Sequence, residues 1–281
     1  MSTTTTSQTH MDKDTFTGIK LETDNINHRL LVTDKGDVTE DIPESIIKFA
    51  KEKDLEKIIL TCRKKNRGVF EAAGFRQRAR VKGFFQGEDG YFLTAFTDGK
   101  RETSARWRQE DRIIEKCMEK ERGYKPTKKQ YLVKTCEESD IPQMMDLLKT
   151  VFETYPTKVF DTDYLKRMMK ERILFKAIIE DEKIISMASA DMDRENLNAE
   201  ITDCATYPEH RGRGLLSVII YSLEQDLKDM DFITVFSLSR AINTGINMVL
   251  RKLGYRYNGR LINNCNICGR YEDMNIWSKT L

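Results

Sequence analysis

Apolar residues Leu216, Ile219, Ile220, Leu223, Leu227 and Met230 recur across 214–230 as one stripe at helical period. The pattern predicts an amphipathic helix that rests the stripe on a core. Ile242, Ile246, Val249 and Leu253 repeat it over 242–253, and Gly254 follows as the residue best suited to a left-handed helix end. Two further helices are predicted upstream. One starts from the signals Ser139, Asp140, Ile141 and Pro142 and runs to about Phe152. The other spans about 163–171 behind a cap at Thr162 or Asp161. β-rich runs separate them: 131–135, a hairpin of 174–179 and 183–190 around Asp181 and Glu182, then 200–206, 232–237, 259–265 and 273–277. From Tyr131 the order is βααβββαβαββ.

The first half carries a fainter version of the end of this pattern. Residues 57–62, 81–85 and 91–96 read as strands, with Asn66 and the pair Gly74-Phe75 between the first two. The layout repeats that of 232–277: strand, Asn, helix, Gly-aromatic, strand, strand. Asn-to-Gly spacing is 8 in the first copy and 11 in the second, about one helical turn apart. The repeat predicts that the N-terminal domain is a partial copy of the C-terminal one. Between them, 102–122 is charged, with Trp107, Ile114, Cys117 and Met118 near helical spacing, as in a solvated helix resting one stripe on a neighbour. The boundary is placed near 123–129. The expected organisation is a disordered tail (1–17), an N-terminal α/β domain with a linker helix (18–125) and a C-terminal domain (130–281).

Composition narrows the class. A chain of 281 residues is long enough for two domains, and 47 Lys and Arg against 45 Asp and Glu give a net charge of +2. No global field therefore points to nucleic acid or an anionic membrane. No apolar run approaches the roughly 20 residues of a membrane span. The Thr/Ser-rich start lacks the apolar core of a secretory signal. Six irregularly spaced cysteines fit reduced thiols and a cytoplasmic location. Cys265 and Cys268 form a lone CxxC without a second pair of ligands, so no metal is expected.

The most specific chemistry lies in 203–216. An extended run ends at Pro208, and a short basic turn with Arg211, Gly212 and Arg213 leads into an apolar helix that begins at Gly214. Unsatisfied backbone N–H groups at a helix N-terminus beside two arginines suit a pyrophosphate, and the glycines let the backbone approach it.

The segment 211–216, Arg-Gly-Arg-Gly-Leu-Leu, matches R/Q-x-x-G-x-G/A except at Leu216, and Asn243 precedes Gly254-Tyr255 by eleven residues. On these motifs, residues 130–281 resemble the GNAT superfamily of acyl-CoA-dependent N-acyltransferases. Three segments (152–156, 263–269 and 272–277) further resemble the β-lysine Nε-acetyltransferases, and that likeness covers most of the chain. The resemblance implies a mixed α/β (α+β) fold, its sheet flanked by helices; with it, the repeat makes the smaller N-terminal α/β domain a partial GNAT-like half. It implies acetyl-CoA as co-substrate, a small-molecule amine acceptor and direct transfer in a ternary complex. It also implies osmolyte biosynthesis and pairing with a lysine 2,3-aminomutase, leaving a homodimer open. The thiolate-protonating Tyr of many members falls at Leu250, so that acid is missing.

Acyl transfer requires a neutral amine, whereas a lysine-type amine has a pKa near 10.4, so the site must position a proton acceptor. The superfamily places an acidic residue on strand 200–206, here Glu200 or Asp203. In a regular strand Glu200, Thr202, Cys204 and Thr206 face one way and Ile201, Asp203 and Ala205 the other; only a bulge would bring Asp203 beside Glu200. Backbone N–H groups around Cys204–Thr206 would meet the developing oxyanion. Cofactor contacts are expected from Cys204, Thr206, Arg211, Gly212, Arg213, Gly214, Leu215 and Asn243. Acceptor contacts are expected from Glu153, Tyr155, Asp161, Asn263, Asn264 and Asn266. Rival readings are another acceptor (polyamine, amino acid or protein lysine), a non-catalytic acyl-CoA sensor, and a nucleic-acid module using the basic turn. The last lacks interleaved aromatics.

Overall fold

A computed structural model describes residues 17–124 and 131–281. Nearly all of the expected tail, and most of the expected boundary segment, lie outside the described residues. The chain divides into two compact units, one ending at Arg78 and resuming over Tyr91–Glu102, the other comprising Ala79–Gly90 and Thr103–Leu281. The division therefore does not fall at 123–129. Its cause is the helix α3 (Trp107–Met118), whose Ile113 and Cys117 belong to the core of the second unit. Its buried stripe is Glu110, Ile113 and Cys117, whereas Trp107 and Met118 are exposed. The sequence pattern missed this register because one buried position holds a carboxylate.

The first unit contains β1 (Ile19–Asp24), β2 (Arg29–Asp34), α1 (Ile42–Glu52), β3 (Lys57–Cys62) and α2 (Lys64–Ala72), with parts of β4 (Arg76–Phe85) and β5 (Glu88–Phe96). β1 and β2 pair antiparallel, β2 and β3 parallel, β3 and β5 antiparallel. β3 is buried on both faces, as a parallel central strand must be. Ile42, Ile46 and Ala50 of α1 and Phe70 of α2 cover it.

The second unit continues with β6 (Val133–Thr135), α4 (Ile141–Val151), α5 (Thr162–Glu171), β7 (Ile173–Glu180), β8 (Lys183–Asp193), β9 (Asn198–Thr206), α6 (Leu215–Asp229), β10 (Thr234–Arg240), α7 (Thr244–Lys252), β11 (Arg256–Ile267) and β12 (Arg270–Thr280). This is the expected βααβββαβαββ order. The strands lie in the order β4-β11-β12-β10-β9-β8-β7-β6. Among the described pairs of this unit, only β9 and β10 run parallel.

Strand alternation sorts the side chains into two layers. Ala188, Ala190, Ala199 and Ile201 meet α6 and α3, whereas Phe175, Ala177, Met187 and Ala205 meet α4 and α5. α6 buries Leu215 rather than Leu216, and Met230 is exposed. α7 was expected to bury Ile242, Ile246, Val249 and Leu253. Its deepest positions are instead Asn247 and Leu250, with Leu253 at the helix end. Asn247 is tolerated there because it is fully hydrogen-bonded: its Oδ1 accepts from Ser239 Oγ, Asn275 Nδ2 and Trp277 Nε1, and its Nδ2 donates to two backbone carbonyls.

The predicted repeat has a common topology. In the first unit the run β1-β2-α1-β3-α2-β4-β5 places β3 beside β2 and β5. In the second, β8-β9-α6-β10-α7-β11-β12 places β10 beside β9 and β12 with the same directions. Asn66 lies inside α2, eight residues before Gly74, and its nearest counterpart in spacing is Asn247, seven before Gly254. Asn243 is a helix cap outside that correspondence.

Candidate active site

The parallel seam of β9 and β10 is short. Its register runs from Thr234 opposite Asn198 to Phe236 opposite Glu200 and then stops. The Ser237 hydroxyl donates to the Ile201 carbonyl at 2.8 Å, marking where the seam opens. Beyond it, 201–206 keeps its pairing to β8 but has no ladder toward β10. Backbone donors on that edge are available to a ligand.

A bulge interrupts β9 within this opening. Met187 lies opposite Ala205 and Ser189 opposite Thr202, so Asp203 and Cys204 together face the single residue 188. Asp203 takes φ 47°, a left-handed conformation that Asp adopts more readily than most residues. The extra residue turns Asp203 onto the face of Thr202 and Glu200, and Tyr155 hydrogen-bonds with both Thr202 and Asp203. The regular alternation expected from the sequence is thus broken, in the sense that brings the two acidic candidates to one face.

Asp203 is 5% exposed and accepts a 2.6 Å hydrogen bond from Ser189 Oγ. Burial raises its pKa above the ordinary carboxylate range, and the bonds from Ser189 and Tyr155 only partly offset this. Burial, with the Asp203 charge beside it, also lifts the Tyr155 hydroxyl well above its usual range. The Cys204 thiol is raised in the same way, first by burial and then by Asp203 and Glu200. A thiol held protonated is a poor nucleophile. Glu200 sits half-buried where the seam ends, across from Asp191 and Phe236.

The glycine turn stands at the end of β9. Gly212 and Gly214 take φ 76° and 77°, and Gly214 is the N-cap of α6 without a side-chain capping bond. No hydrogen bond among the described residues uses the N–H groups of 212–216 as donors, so they remain open to an anion. Arg213 is not available as expected. Its guanidinium makes a two-pronged pair with Glu180 at 2.6 and 3.0 Å and touches His210 Nδ1, which braces the turn against the end of β7. Arg211 donates through Nε to the Thr206 carbonyl and is otherwise exposed. Thr206 is tied to Ser186 by a 2.7 Å hydroxyl bond.

The opposite side of the opening is lined by the α4–α5 loop and the β11–β12 hairpin. Phe152 meets Tyr155 at a tilt of 59° with centroids 4.7 Å apart, and also packs on Cys265, Ile267 and Met274 beside Leu238. Thr154 Oγ1 accepts from Gly269 N. Of the other acceptor candidates, Asp161 is the N-cap of α5, accepting from Asp163 N and Tyr164 N, which takes it out of the site. Glu153 is exposed. Asn263 takes φ 44°, donates its N–H to Asp273 Oδ1 and its Nδ2 to the Thr103 carbonyl, a structural role. Asn264 is buried and Asn266 half-buried on β11. Asn243 caps α7 through its Oδ1, which leaves only its amide N–H groups for a ligand. Leu250, at the position of the usual acid, is buried in the α6–α7 core.

Several participants escaped the sequence. Ser189, Thr202 and Glu180 contact the expected residues only through long-range pairing. A charged cluster also gathers on β10, β12 and α3. Glu272 is ion-paired by Arg106, Arg240 and Arg270. Glu110 approaches Arg260 and Asp273, and burial together with the Asp273 carboxyl raises its pKa to about 8.

A mixed sheet opened at its parallel seam, with an acidic bulge on one edge and an uncapped glycine turn at the end, defines an acyl-CoA-dependent N-acyltransferase. The chain belongs to the GNAT acetyltransferase family, and the model of that family matches residues 141–255. It is 35% identical to the N-acetyltransferase YodP of Bacillus subtilis, an alignment covering 93% of this chain and 95% of that one. It is 32% identical to the beta-lysine N(6)-acetyltransferase of Methanosarcina mazei over 86% of this chain and 97% of the relative. The protein of that name from Methanococcus maripaludis is 27% identical over 92% and 95%. Enzymes of this family use acetyl-CoA or related CoA derivatives. Among the described residues no helix is long and apolar enough to cross a membrane.

Proposed function

We propose that this N-acetyltransferase moves the acetyl group of acetyl-CoA onto the ε-amine of L-β-lysine, giving Nε-acetyl-β-lysine. The observation that carries the acceptor is the full-length likeness to a relative named for that reaction, at 32% identity. The acceptor face agrees chemically: carboxylates on β9 for an ammonium, aromatic rings of Phe152 and Tyr155 for a methylene chain, and a basic cluster beyond them.

In this reading the open N–H groups of 212–216 bind the pyrophosphate of the co-substrate. Backbone donors along 204–206 face the thioester oxygen as it gains charge. Asp203 takes the proton released as the amine attacks, with Tyr155 and Ser189 holding its carboxylate in place. Its burial-raised pKa suits a proton acceptor for an amine better than an ordinary carboxylate would. Glu200, half-buried at the mouth, attracts the ammonium form and is the second candidate base. Transfer is direct in this reading, since the half-buried Cys204 thiol, its pKa raised, makes a poor nucleophile.

The test is CoA release with acetyl-CoA against β-lysine, lysine, spermidine and a lysine peptide. The reading expects β-lysine to lead by kcat/KM; equal or absent turnover across the panel overturns it. YodP, named only as an N-acetyltransferase, keeps a second reading open, in which another amine is acetylated by the same chemistry.

A further inference from the structure

We infer that Arg240 anchors the carboxylate of the acceptor and so makes this site select an amino acid over a polyamine. The inference rests on the acceptor face proposed above. Arg240 is the last residue of β10, four positions past the end of the parallel seam, and so belongs to the opened edge. It pairs across to Met274, which places its side chain on the face of Met274, Leu238, Cys265 and Phe152. Phe152 continues through Tyr155 to Asp203. An acidic end and a basic end thus share one apolar-lined surface.

The basic end carries surplus charge. Glu272, whose side chain is 1% exposed, meets Arg240 at 3.1 Å, Arg270 at 2.7 Å and Arg106 at 3.5 Å. Three guanidiniums around one carboxylate leave two positive charges unmatched within the cluster. Arg240 Nη2 is fixed by Glu272, while 21% of its side chain stays exposed. Its remaining N–H groups form a fork that matches a carboxylate. A guanidinium held rigid on one edge and open on another is preorganised for a carboxylate. Glu272 is then a positioning residue: it orients Arg240 without touching substrate.

The experiment pairs each acceptor with its decarboxylated partner: β-lysine with 1,4-diaminopentane, and lysine with cadaverine. The wild type is expected to prefer the carboxylate-bearing member by kcat/KM. In R240Q that preference should fall about 10- to 100-fold, mainly through KM. R240K should restore only part of it, because an ammonium lacks the planar fork. Arg106 and Arg270 still cover Glu272 in R240Q, so the fold should hold, as retained acetyl-CoA affinity would report. Equal loss for both members of a pair, or an unchanged preference, overturns the anchor. So does a wild type that prefers the decarboxylated members. If lysine rather than β-lysine is the better acceptor and R240Q erases its advantage over cadaverine, the anchor stands and the β-lysine reading fails.

Discussion

The two units build the same strand–helix pattern around a parallel pair, and differ in whether that pair stays closed. In the first unit β2 and β3 remain in register from Arg29 opposite Lys57 to Thr33 opposite Thr61. In the second, β9 and β10 separate after Glu200 and Phe236. The turns that follow differ in the same sense. β2 ends on Asp34, fully buried, which accepts from Gly36 N, Arg63 N and Asn66 Nδ2 and so consumes the donors around it. Its turn carries Asp37, Glu40 and Asp41, repelling an anion. β9 ends in a glycine turn whose backbone N–H groups over 212–216 are unspent. The comparison teaches that topology alone does not make the site. A bulge, an early end to the ladder and a turn without internal acceptors make it.

The largest effect that can break this comparison is expected at the bulge. Asn tolerates the left-handed φ of Asp203, so D203N removes the carboxylate while sparing the backbone. It should lower kcat about 100- to 10,000-fold with little change in the KM for acetyl-CoA. A raised carboxyl pKa contributes stability that is complete below the unfolded value and lost as pH rises through the folded one. Hence D203N should be as stable as the wild type or more so at neutral pH, with the advantage fading in acid. A D203N enzyme of near-normal kcat would assign the base elsewhere, with Glu200 next in line.

In the closed half the analogous change should cost stability and leave the chemistry alone. D34A strands Arg63 and two amide donors in a buried setting, a loss of about 3–5 kcal/mol. Thermal unfolding should show it. Kinetic constants of the folded fraction should stay as in the wild type; a rise in the KM for acetyl-CoA would mean that the first unit shares the cofactor site.

A smaller effect sharpens the account of the second unit. Glu110, with its pKa near 8, should favour folding below about pH 4.5 and lose that contribution as pH rises through 8. The wild-type melting temperature should fall relative to E110Q between pH 5 and pH 9, by about a few degrees. Parallel curves would show that the carboxyl pair with Asp273 is not coupled to folding.

The sequence exposed the helices and their order because their stripes and caps are local. Asp161 shows the limit of such reading: the same residue was a cap and a substrate candidate, and its two bonds to the α5 N-terminus decide for the cap. The bulge was invisible, because alternation presumes a regular strand; the one hint was an Asp in a β-rich run, where it is poorly suited. Glu110 and Asn247 hid the buried registers of α3 and α7, since a polar residue counts against a core stripe until its partners are known. Arg213 was read as a phosphate ligand, and only the pairing of the turn with β7 brings Glu180 to occupy it. Tyr155 was selected from a resembling segment, but its bond to Asp203 needs the tertiary fold.

The central claim is that CoA binds where the seam is open and nowhere else. Calorimetric titration of acetyl-CoA into the wild type, G214V and the first-unit variant D37N tests it most directly. Val at φ 77° is strained. The account predicts a single site per chain, lost or weakened at least tenfold in G214V and unaltered in D37N. A second site in the wild type, or G214V binding as tightly as the wild type, would contradict it.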